Sequence, residues 1–240
     1  AALEIYAFTW DELCDWYLEF SKGTLYSETA PEAQKQGARH TLWSVFQSLS
    51  RLFHPIMPFL SEEIWQQLPY TDGSIVTAPY PKVAEYPSDP EALRQVATIQ
   101  GIITAVRRIR ADMEISPKVA VNLRTEHTEV LVAHADALRD LARVIDIQAG
   151  GRSGPASTFV VEGQSYFVPL DGVVDLDAER SRLEKVIGKI DKDMGFLSGK
   201  LSNKGFTERA PAHVVDEIRE KFAVAEERRA RLAEALEGLN

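Results

Sequence analysis

Two heptad tracks of apolar residues occupy the last quarter of the chain. In the first track the spacing alternates between four and three residues, through Leu183, Ile187, Ile190, Met194, Leu197 and Leu201. The second track begins after Pro211 and runs through Val215, Ile218, Phe222, Ala225, Arg229, Leu232, Leu236 and Leu239. A repeat of about 3.5 residues over this length is typical of a coiled-coil seam. Because residues 202–205 and Pro211 interrupt the helical pattern, we predict an antiparallel coiled-coil hairpin over residues 176–240.

The first half of the chain begins with a strongly amphipathic segment. Its apolar residues recur every three or four positions, at Leu3, Tyr6, Trp10, Leu13, Tyr17 and Phe20. This spacing predicts a helix with one buried face. The pattern starts without a capping residue, so we expect that the segment had upstream neighbours in a longer protein.

Three more helices are predicted before residue 115. The second covers residues from about 31 to 53, and the third covers residues 58–68, each with a proline at its start. The fourth begins at a capping box in which Ser88 is the N-cap and Glu91 reaches back to it, and it ends near Met113. Four apolar stripes with short connections predict an α-helical bundle over residues 1–115.

Residues 116–175 have a different pattern, which predicts a small α+β connector. Alternating apolar residues from Val119 to Leu123 predict a strand, and a helix, a second strand and a β-hairpin follow. The fold class is therefore mainly α: a helical bundle, an α+β connector and a coiled-coil hairpin. A hinge near Gly172 and Asp175 is expected because little apolar surface is available there to fix the angle of the hairpin.

The composition of the chain limits the cellular compartment and the classes of partner that we expect. The chain has one cysteine, Cys14, no apolar run long enough to span a bilayer and no signal-peptide pattern at its start, so we expect a cytoplasmic protein without membrane contact. Its net charge of −9 argues against a generic nucleic-acid binder. Residues 181–210 nevertheless hold seven basic and four acidic side chains. A solvated coiled-coil exterior with mixed ion pairs explains this stretch as well as an anion-binding surface does.

Several motifs resemble a known family of translation enzymes. The segments WDELCDWYLEFSK and HPIMPFLSEEIWQQL resemble the anticodon-binding bundle shared by the valyl, isoleucyl and leucyl class I aminoacyl-tRNA synthetases. RRIRADMEISP, VPLDGVVDLDAERSRLEKVI and KLSNKGFTERAPAHVV are similar to the carboxy-terminal region of the valyl enzymes. The resemblance covers essentially all 240 residues. It implies tRNA-Val and the rest of the synthetase chain as partners of a monomer.

The resemblance does not extend to the chemistry of these enzymes. The chain lacks the HIGH-type and KMSKS-type signatures that bind ATP, so ATP and magnesium are expected as cofactors of the whole enzyme and not of this part. Its five histidines show no metal-ligand spacing, and residues 150–155 lack the lysine of a P-loop. We therefore expect no catalytic residue and no metal ligand here.

For the bundle, the resemblance implies contact with the anticodon stem and loop, where unstacked bases are read by edge contacts and stacking. Candidates on the second predicted helix are Arg39, His40, Trp43 and Arg51. A basic cluster near the end of the fourth helix adds Arg107, Arg108 and Arg110. A phosphate clamp and a purely structural role at the negative end of that helix are equally supported for the cluster.

For the hairpin, the resemblance implies contact with the outer corner, or elbow, of the tRNA, where the D and T loops meet. Lys185, Lys189 and Lys192 are spaced by four and three residues and so share one side of a helix. The other candidates lie near the start and the tip of the hairpin: Arg182, Lys200, Lys204, Phe206 and Arg209. Phe206 either stacks on an exposed base or folds back onto the seam.

Two alternatives stay open. In the first, the chain is the corresponding region of an isoleucyl or leucyl synthetase. In the second, it is a coiled-coil protein-interaction module that binds no RNA. A single cysteine cannot form the cysteine-rich zinc site that isoleucyl relatives commonly carry, which favours the valyl interpretation.

Overall fold

The computed structural model describes residues 1–239 and is mainly helical, with one small sheet. Its contacts divide the chain into two compact units, residues 1–96 and residues 97–240. The mainly α fold class is thus confirmed. The division into functional parts at residues 1–115, 116–175 and 176–240 stays a prediction.

The first unit opens with one continuous helical run of changing geometry. It comprises α1 (Ala2–Ala7), a π-helical stretch (Phe8–Tyr17) and α2 (Leu18–Leu25). A π-helix closes its hydrogen bonds over five residues instead of four, so an apolar stripe spaced for an α-helix drifts around its axis. Leu13 is buried, whereas Leu3 and Trp10 are 83% and 57% exposed. The predicted helix is present, but only part of its apolar stripe reaches the core.

The following elements lie close to their predicted positions. They are α3 (Glu32–Phe53), α4 (Pro58–Gln67) and two short 3-10 turns in the proline-rich link (Ile75–Thr77 and Val83–Glu85). Pro58 occupies the first turn of α4, where its missing N–H costs nothing. Leu49 of α3 and Trp65 of α4 are both buried and form part of the core of the first unit.

The fourth long helix, α5 (Pro90–Asp112), begins in the first unit and continues into the second. The predicted capping box is wrong. The side chain of Asp89 caps the helix, with Oδ1 accepting hydrogen bonds from the amides of Glu91 and Ala92 at 3.1 and 3.0 Å. Proline favours the first position inside a helix, so Pro90 makes Asp89, and not Ser88, the N-cap.

The second unit contains a four-stranded mixed sheet in the order β2-β1-β4-β3. The strands are β1 (Val121–Thr125), β2 (Val144–Ala149), β3 (Ala156–Val161) and β4 (Gln164–Pro169). β1 pairs in parallel with β2 and antiparallel with β4, which forms the predicted hairpin with β3. A parallel pair requires a crossover, and α6 (Glu129–Ala133) and α7 (Ala135–Ala142) supply it. The predicted single helix is therefore two, which meet at His134.

The second unit ends in α8 (Leu176–Ser202), the short α9 (Lys204–Thr207) and α10 (Ala212–Gly238). α8 and α10 pack along each other in opposite directions: Arg180 donates to the carbonyl oxygen of Leu239 at 3.1 Å, and Arg229 donates to Asp191 at 2.9 Å. Every residue of the two heptad tracks except Arg229 is buried or partly buried. The two helices are thus present, and their coiled-coil geometry stays a prediction.

One apolar core fixes the base of α8 and α10 to the rest of the second unit. Its buried members are Met113, Ile115, Leu170, Leu183, Ile190, Leu232 and Leu239. Val173, Val174 and Leu176 pack against this core. The expected hinge at residues 172–175 rested on a lack of apolar surface, and that premise is wrong.

The carboxy-terminal end of α10 is held just as closely. A Cβ atom added to Gly238 would lie 2.8 Å from the carbonyl oxygen of Ala156 on β3, so only glycine allows this approach. Arg152 and Arg180 donate to the carbonyl oxygens of Gly238 and Leu239. Guanidinium groups at this position satisfy orphan carbonyls and complement the negative end of the helix dipole.

Candidate nucleic-acid interface

The outer side of α8 carries an exposed row of lysines, which we call the lysine face: Lys185, Lys189, Lys192 and Lys200. At about 100° per residue these positions fall within an arc of about 80° on the helix. Leu183 and Ile190 lie on the opposite side, in the buried seam. Among residues 1–239, no carboxylate forms a salt bridge with any of these four lysines. Their charges are therefore available to an anion from outside.

The outer side of α10 is organised differently. Several of its bases pair with acids of the same helix: Arg219 with Asp216 at 2.9 Å, and Lys221 with Glu217 at 2.6 Å. The partly buried Arg231 contacts Glu227 at 3.2 Å and also lies 3.8 Å from Asp112 of α5. The hydrogen bond from Lys221, together with its charge, lowers the pKa of Glu217. On this surface, acidic side chains compensate the positive charges of Arg219 and Lys221. The lysines of the lysine face have no such partners within residues 1–239.

The tip between the two helices adds two exposed bases, Lys204 and Arg209. Phe206 lies in α9 between them and is half-buried. Its ring thus offers less surface to an RNA base than a fully exposed aromatic would.

Arg182, at the base of α8, is held by hydrogen bonds to other groups of the protein. Its Nε and Nη2 atoms donate to both carboxylate oxygens of the buried Glu179, at 2.8 and 2.5 Å. It also pairs with Glu114 at 3.0 Å and donates to the carbonyl oxygen of Asp112 at 2.6 Å. The bond to Glu179 raises the pKa of Arg182 above its ordinary value. The guanidinium group of Arg182 is thus engaged by internal acceptors and is less available to RNA than the lysines of the lysine face.

The basic cluster of α5 divides into three environments. Arg110 is buried and donates from Nη2 to the carbonyl oxygens of Ser116 and Val119, at 2.6 and 2.7 Å. Burial lowers its pKa. Arg107 is exposed but donates to the carbonyl oxygen of Leu141 at 2.8 Å. Arg108 is exposed and is the member of the cluster best placed for a phosphate.

The four candidates on α3 are each held by the first unit. Arg39 pairs with Glu32 at 2.7 Å, and the rings of His40 and Trp43 lie 5.5 Å apart. The indole N–H of Trp43 donates to the carbonyl oxygen of Pro69 at 2.7 Å. Arg51 donates to the carbonyl oxygen of Pro79 at 3.0 Å. His40 and Arg39 remain exposed, while Trp43 and Arg51 also tie α3 to the following link.

An aromatic residue that the sequence reasoning missed lies within the lysine face. Phe196 is 65% exposed, and the Nζ atom of Lys200 lies 4.5 Å from its ring centroid, in a cation–π contact. The signal was available, because Phe196 continues the spacing of Lys189 and Lys192 along the helix. The position of Phe206 at the tip had made it the predicted aromatic contact.

The first unit also contains an apolar groove of about 850 Å³. It lies between α1, α3, the proline-rich link and the start of α5, with Ile5, Leu49, Tyr86 and Leu93 among its walls. An apolar lining of this kind does not suit phosphate groups.

Two kinds of feature are absent from residues 1–239. Residues 1–239 hold no group of three or more histidine, cysteine, aspartate or glutamate side chains arranged to bind a metal ion. None of the helices within that range is both long and apolar enough to cross a membrane.

The chain matches two family models and several curated proteins. Residues 1–125 match the anticodon-binding domain of tRNA ligase, and residues 175–240 match the valyl tRNA synthetase tRNA binding arm. The chain is 41% identical to the valine–tRNA ligase of Syntrophotalea carbinolica over 249 aligned positions, which cover 100% of this chain and 28% of that protein. The corresponding enzymes of Geobacter sulfurreducens and Bacillus subtilis are 38% and 37% identical, covering 99% and 90% of this chain.

These matches are restricted to part of each relative. The chain spans 28% of the length of the first two relatives and 25% of the Bacillus subtilis enzyme. The first family model covers more than half of the chain, and the second covers α8, α9 and α10. The chain thus belongs to the family of tRNA ligase anticodon-binding domains, joined to the tRNA binding arm of valyl-tRNA synthetases, and corresponds to a carboxy-terminal part of valine–tRNA ligases.

Proposed function

We propose that this chain holds tRNA-Val at two places so that a catalytic domain elsewhere in the enzyme can charge it. The first unit and α5 contact the anticodon stem-loop, and α8 to α10 contact the elbow as an antiparallel coiled coil. The contribution is positioning, which lowers the entropic cost of bringing the acceptor end to the reacting groups. ATP and magnesium act in the catalytic part of the parent enzyme, a cytoplasmic monomer.

The observation that carries this proposal is the unpaired charge of the lysine face. A solvated exterior gains from pairing its charges within the helix, as α10 does with Lys221 and Glu217. On α8, none of the four lysines of the lysine face forms a salt bridge within residues 1–239. RNA phosphates supply the missing anions and release counterions when they bind. The candidates for contact with the anticodon stem-loop are the exposed Arg39 and His40 with Trp43 and Arg51 of α3, and the exposed Arg107 and Arg108 of α5.

The experiment compares two triple variants that remove the same charge. Lys185→Gln, Lys189→Gln and Lys192→Gln remove three positive charges from α8, and Arg219→Gln, Lys221→Gln and Arg228→Gln remove three from α10. Binding of tRNA-Val is measured across a range of salt concentrations. We expect the α8 variant to lose at least about tenfold in affinity and to reduce the salt slope by about 2–3, with little change for the α10 variant.

Two other outcomes would each contradict the proposal. Equal losses in both triple variants would mean that only net charge matters, and no loss in either would favour a protein-interaction module. Competition among cognate tRNAs tests the alternative of an isoleucyl or leucyl enzyme. Binding of unrelated tRNAs as tight as that of tRNA-Val would count against recognition by this chain.

A further inference from the structure

We infer that Phe196 is a base-stacking residue of the lysine face, where its ring receives an exposed nucleobase of the bound RNA. This inference rests on the proposed function, because it names how the same surface recognises its partner. Phe196 is 65% exposed, in contrast to the half-buried Phe206 at the tip. Phe196 is not a member of the apolar core that fixes α8 and α10, whereas Leu183 of the same helix belongs to it and Ile187 and Met194 pack against it.

The surroundings of the ring match a site for single-stranded or looped RNA. Such sites combine a row of positive charges that follows the backbone with aromatic rings on which bases stack. Lys192 lies one turn before Phe196, and Lys200 lies one turn after it, with Nζ over one face of the ring at 4.5 Å. A base stacks on the other face, or displaces Lys200 towards a neighbouring phosphate. Asp193, also one turn before the ring, opposes binding.

Glycines beside the ring provide a second, independent observation. Gly195 and Gly199 are exposed, and a Cβ atom added to either would meet nothing within 4 Å. Gly188, about two turns earlier on α8, has equally open space. Glycine inside a helix lowers its stability, and no internal packing explains these three. Their effect is to leave the backbone bare next to Phe196, so that a base and its ribose can approach closely.

The first test separates stacking from charge. Phe196→Leu keeps an apolar side chain but removes the ring, and we expect tRNA affinity to fall about 5- to 100-fold with an unchanged salt slope. Phe196→Trp should bind as tightly as the unaltered chain or tighter. Val224→Ala is the control, since Val224 is 60% exposed on α10. Circular dichroism of each variant checks that the helices are intact.

The second test changes Gly199 and Asp193, which lie beside the ring. Gly199→Ala should raise the melting temperature of the chain while weakening tRNA binding several-fold, a combination that a purely structural role does not produce. Asp193→Asn should tighten binding. A photoreactive benzoylphenylalanine at position 196 should crosslink to a nucleotide in a loop and not to a paired stem.

The outcomes that overturn the inference differ from those that overturn the proposed function. Phe196→Leu binding like the unaltered chain, or Phe196→Trp losing as much as Phe196→Leu, removes the stacking role but leaves the lysine contacts standing. A crosslink only to a stem does the same. If the lysine triple variant also binds normally, the proposed function itself fails. A protein crosslinked at position 196 in place of RNA would identify a different partner and would likewise refute stacking.

Discussion

The two long helices of the second unit have the same length but differ in how charges are arranged on their exposed surfaces. α8 and α10 each contain 27 residues, and both bury one heptad track. α8 has six basic and five acidic residues, while α10 has five basic and seven acidic ones. On α10 the charges form pairs one turn apart, and on the lysine face they do not. The two helices have similar interiors and different exteriors, so we expect both to contribute to stability and, under the proposed function, α8 to carry the RNA contacts.

The largest expected effect tests whether the interiors are indeed alike. Leu183 is 0% exposed on α8 and Leu232 is 3% exposed on α10, in the same core. Leu183→Ala and Leu232→Ala should each lower the free energy of unfolding by about 2–5 kcal/mol, because each leaves a cavity. Urea denaturation measures both. A cost below about 1 kcal/mol for one of them would show that the two helices do not share one core.

A smaller loss is expected at the base of α8. Arg182→Met removes the hydrogen bonds to Glu179 and Glu114 and leaves a buried carboxylate unpaired. The free energy of unfolding should fall by about 1–3 kcal/mol. Arg228→Met, which changes an exposed arginine of α10, is the control and should cost almost nothing. A direct effect of Arg182→Met on the salt slope of tRNA binding would contradict the internal role described for this residue.

Glycine substitutions should have opposite signs at the two ends of the helix pair. Gly238→Ala forces a Cβ against the carbonyl oxygen of Ala156 and should cost about 1–3 kcal/mol. Gly195→Ala meets open space and should gain about 0.5–1 kcal/mol by reducing the entropy of the unfolded chain. Thermal denaturation resolves both. Destabilisation by Gly195→Ala would mean that its side of α8 is packed rather than free.

The ion pair that joins the helices should contribute little. Arg229 replaces an apolar residue in the second track and pairs with Asp191 at 2.9 Å, with both side chains nearly half exposed. A double-mutant cycle with Asp191→Asn and Arg229→Gln should give a coupling energy of about 0.2–1 kcal/mol. A coupling above about 2 kcal/mol would indicate that this pair, more than the apolar seam, holds the helices in register.

The smallest effect concerns the self-neutralised surface of α10. Lys221 lowers the pKa of Glu217, so this contact stabilises the protein above the ordinary glutamate pKa of about 4.3 and is lost as the pH falls through the lower folded value. Lys221→Met should return the pKa of Glu217 towards its ordinary value. A carboxyl-carbon NMR titration of both proteins measures the change. Identical titration curves would show that the pair does not persist in solution.

Periodicity predicted the long elements well, because burial imposes it directly. The bounds of α3, α4, α8 and α10 lie close to those expected from apolar spacing, proline positions and the helix breaks. The π-helical stretch was not foreseen, since the sequence pattern of Phe8–Tyr17 is that of an ordinary α-helix. The cap of α5 was misassigned between adjacent residues, Ser88 and Asp89, that are both good caps.

The charged candidates were harder to place than the helices. Arg110 and Arg182 lie in sequences as basic as the lysine face, yet both guanidinium groups are used inside the protein. For Arg182, one acceptor comes from a residue 70 positions away, which no local pattern can reveal. Phe196 could have been found, because its position relative to Lys189 and Lys192 follows from helical geometry alone. Local spacing thus locates surfaces, while long-range contacts decide which charges remain on them.

The close packing of Gly238 against β3 has a mechanical consequence. Because both long helices are fixed at their shared base, the pair behaves as a cantilever whose free end lies about 40 Å away at 1.5 Å per residue. A tilt of about 5° at the base would displace that end by about 3–4 Å, more than the distance of a hydrogen bond. Adding a single methyl group at Gly238 would therefore displace Lys200 and Lys204 although those residues themselves are unchanged.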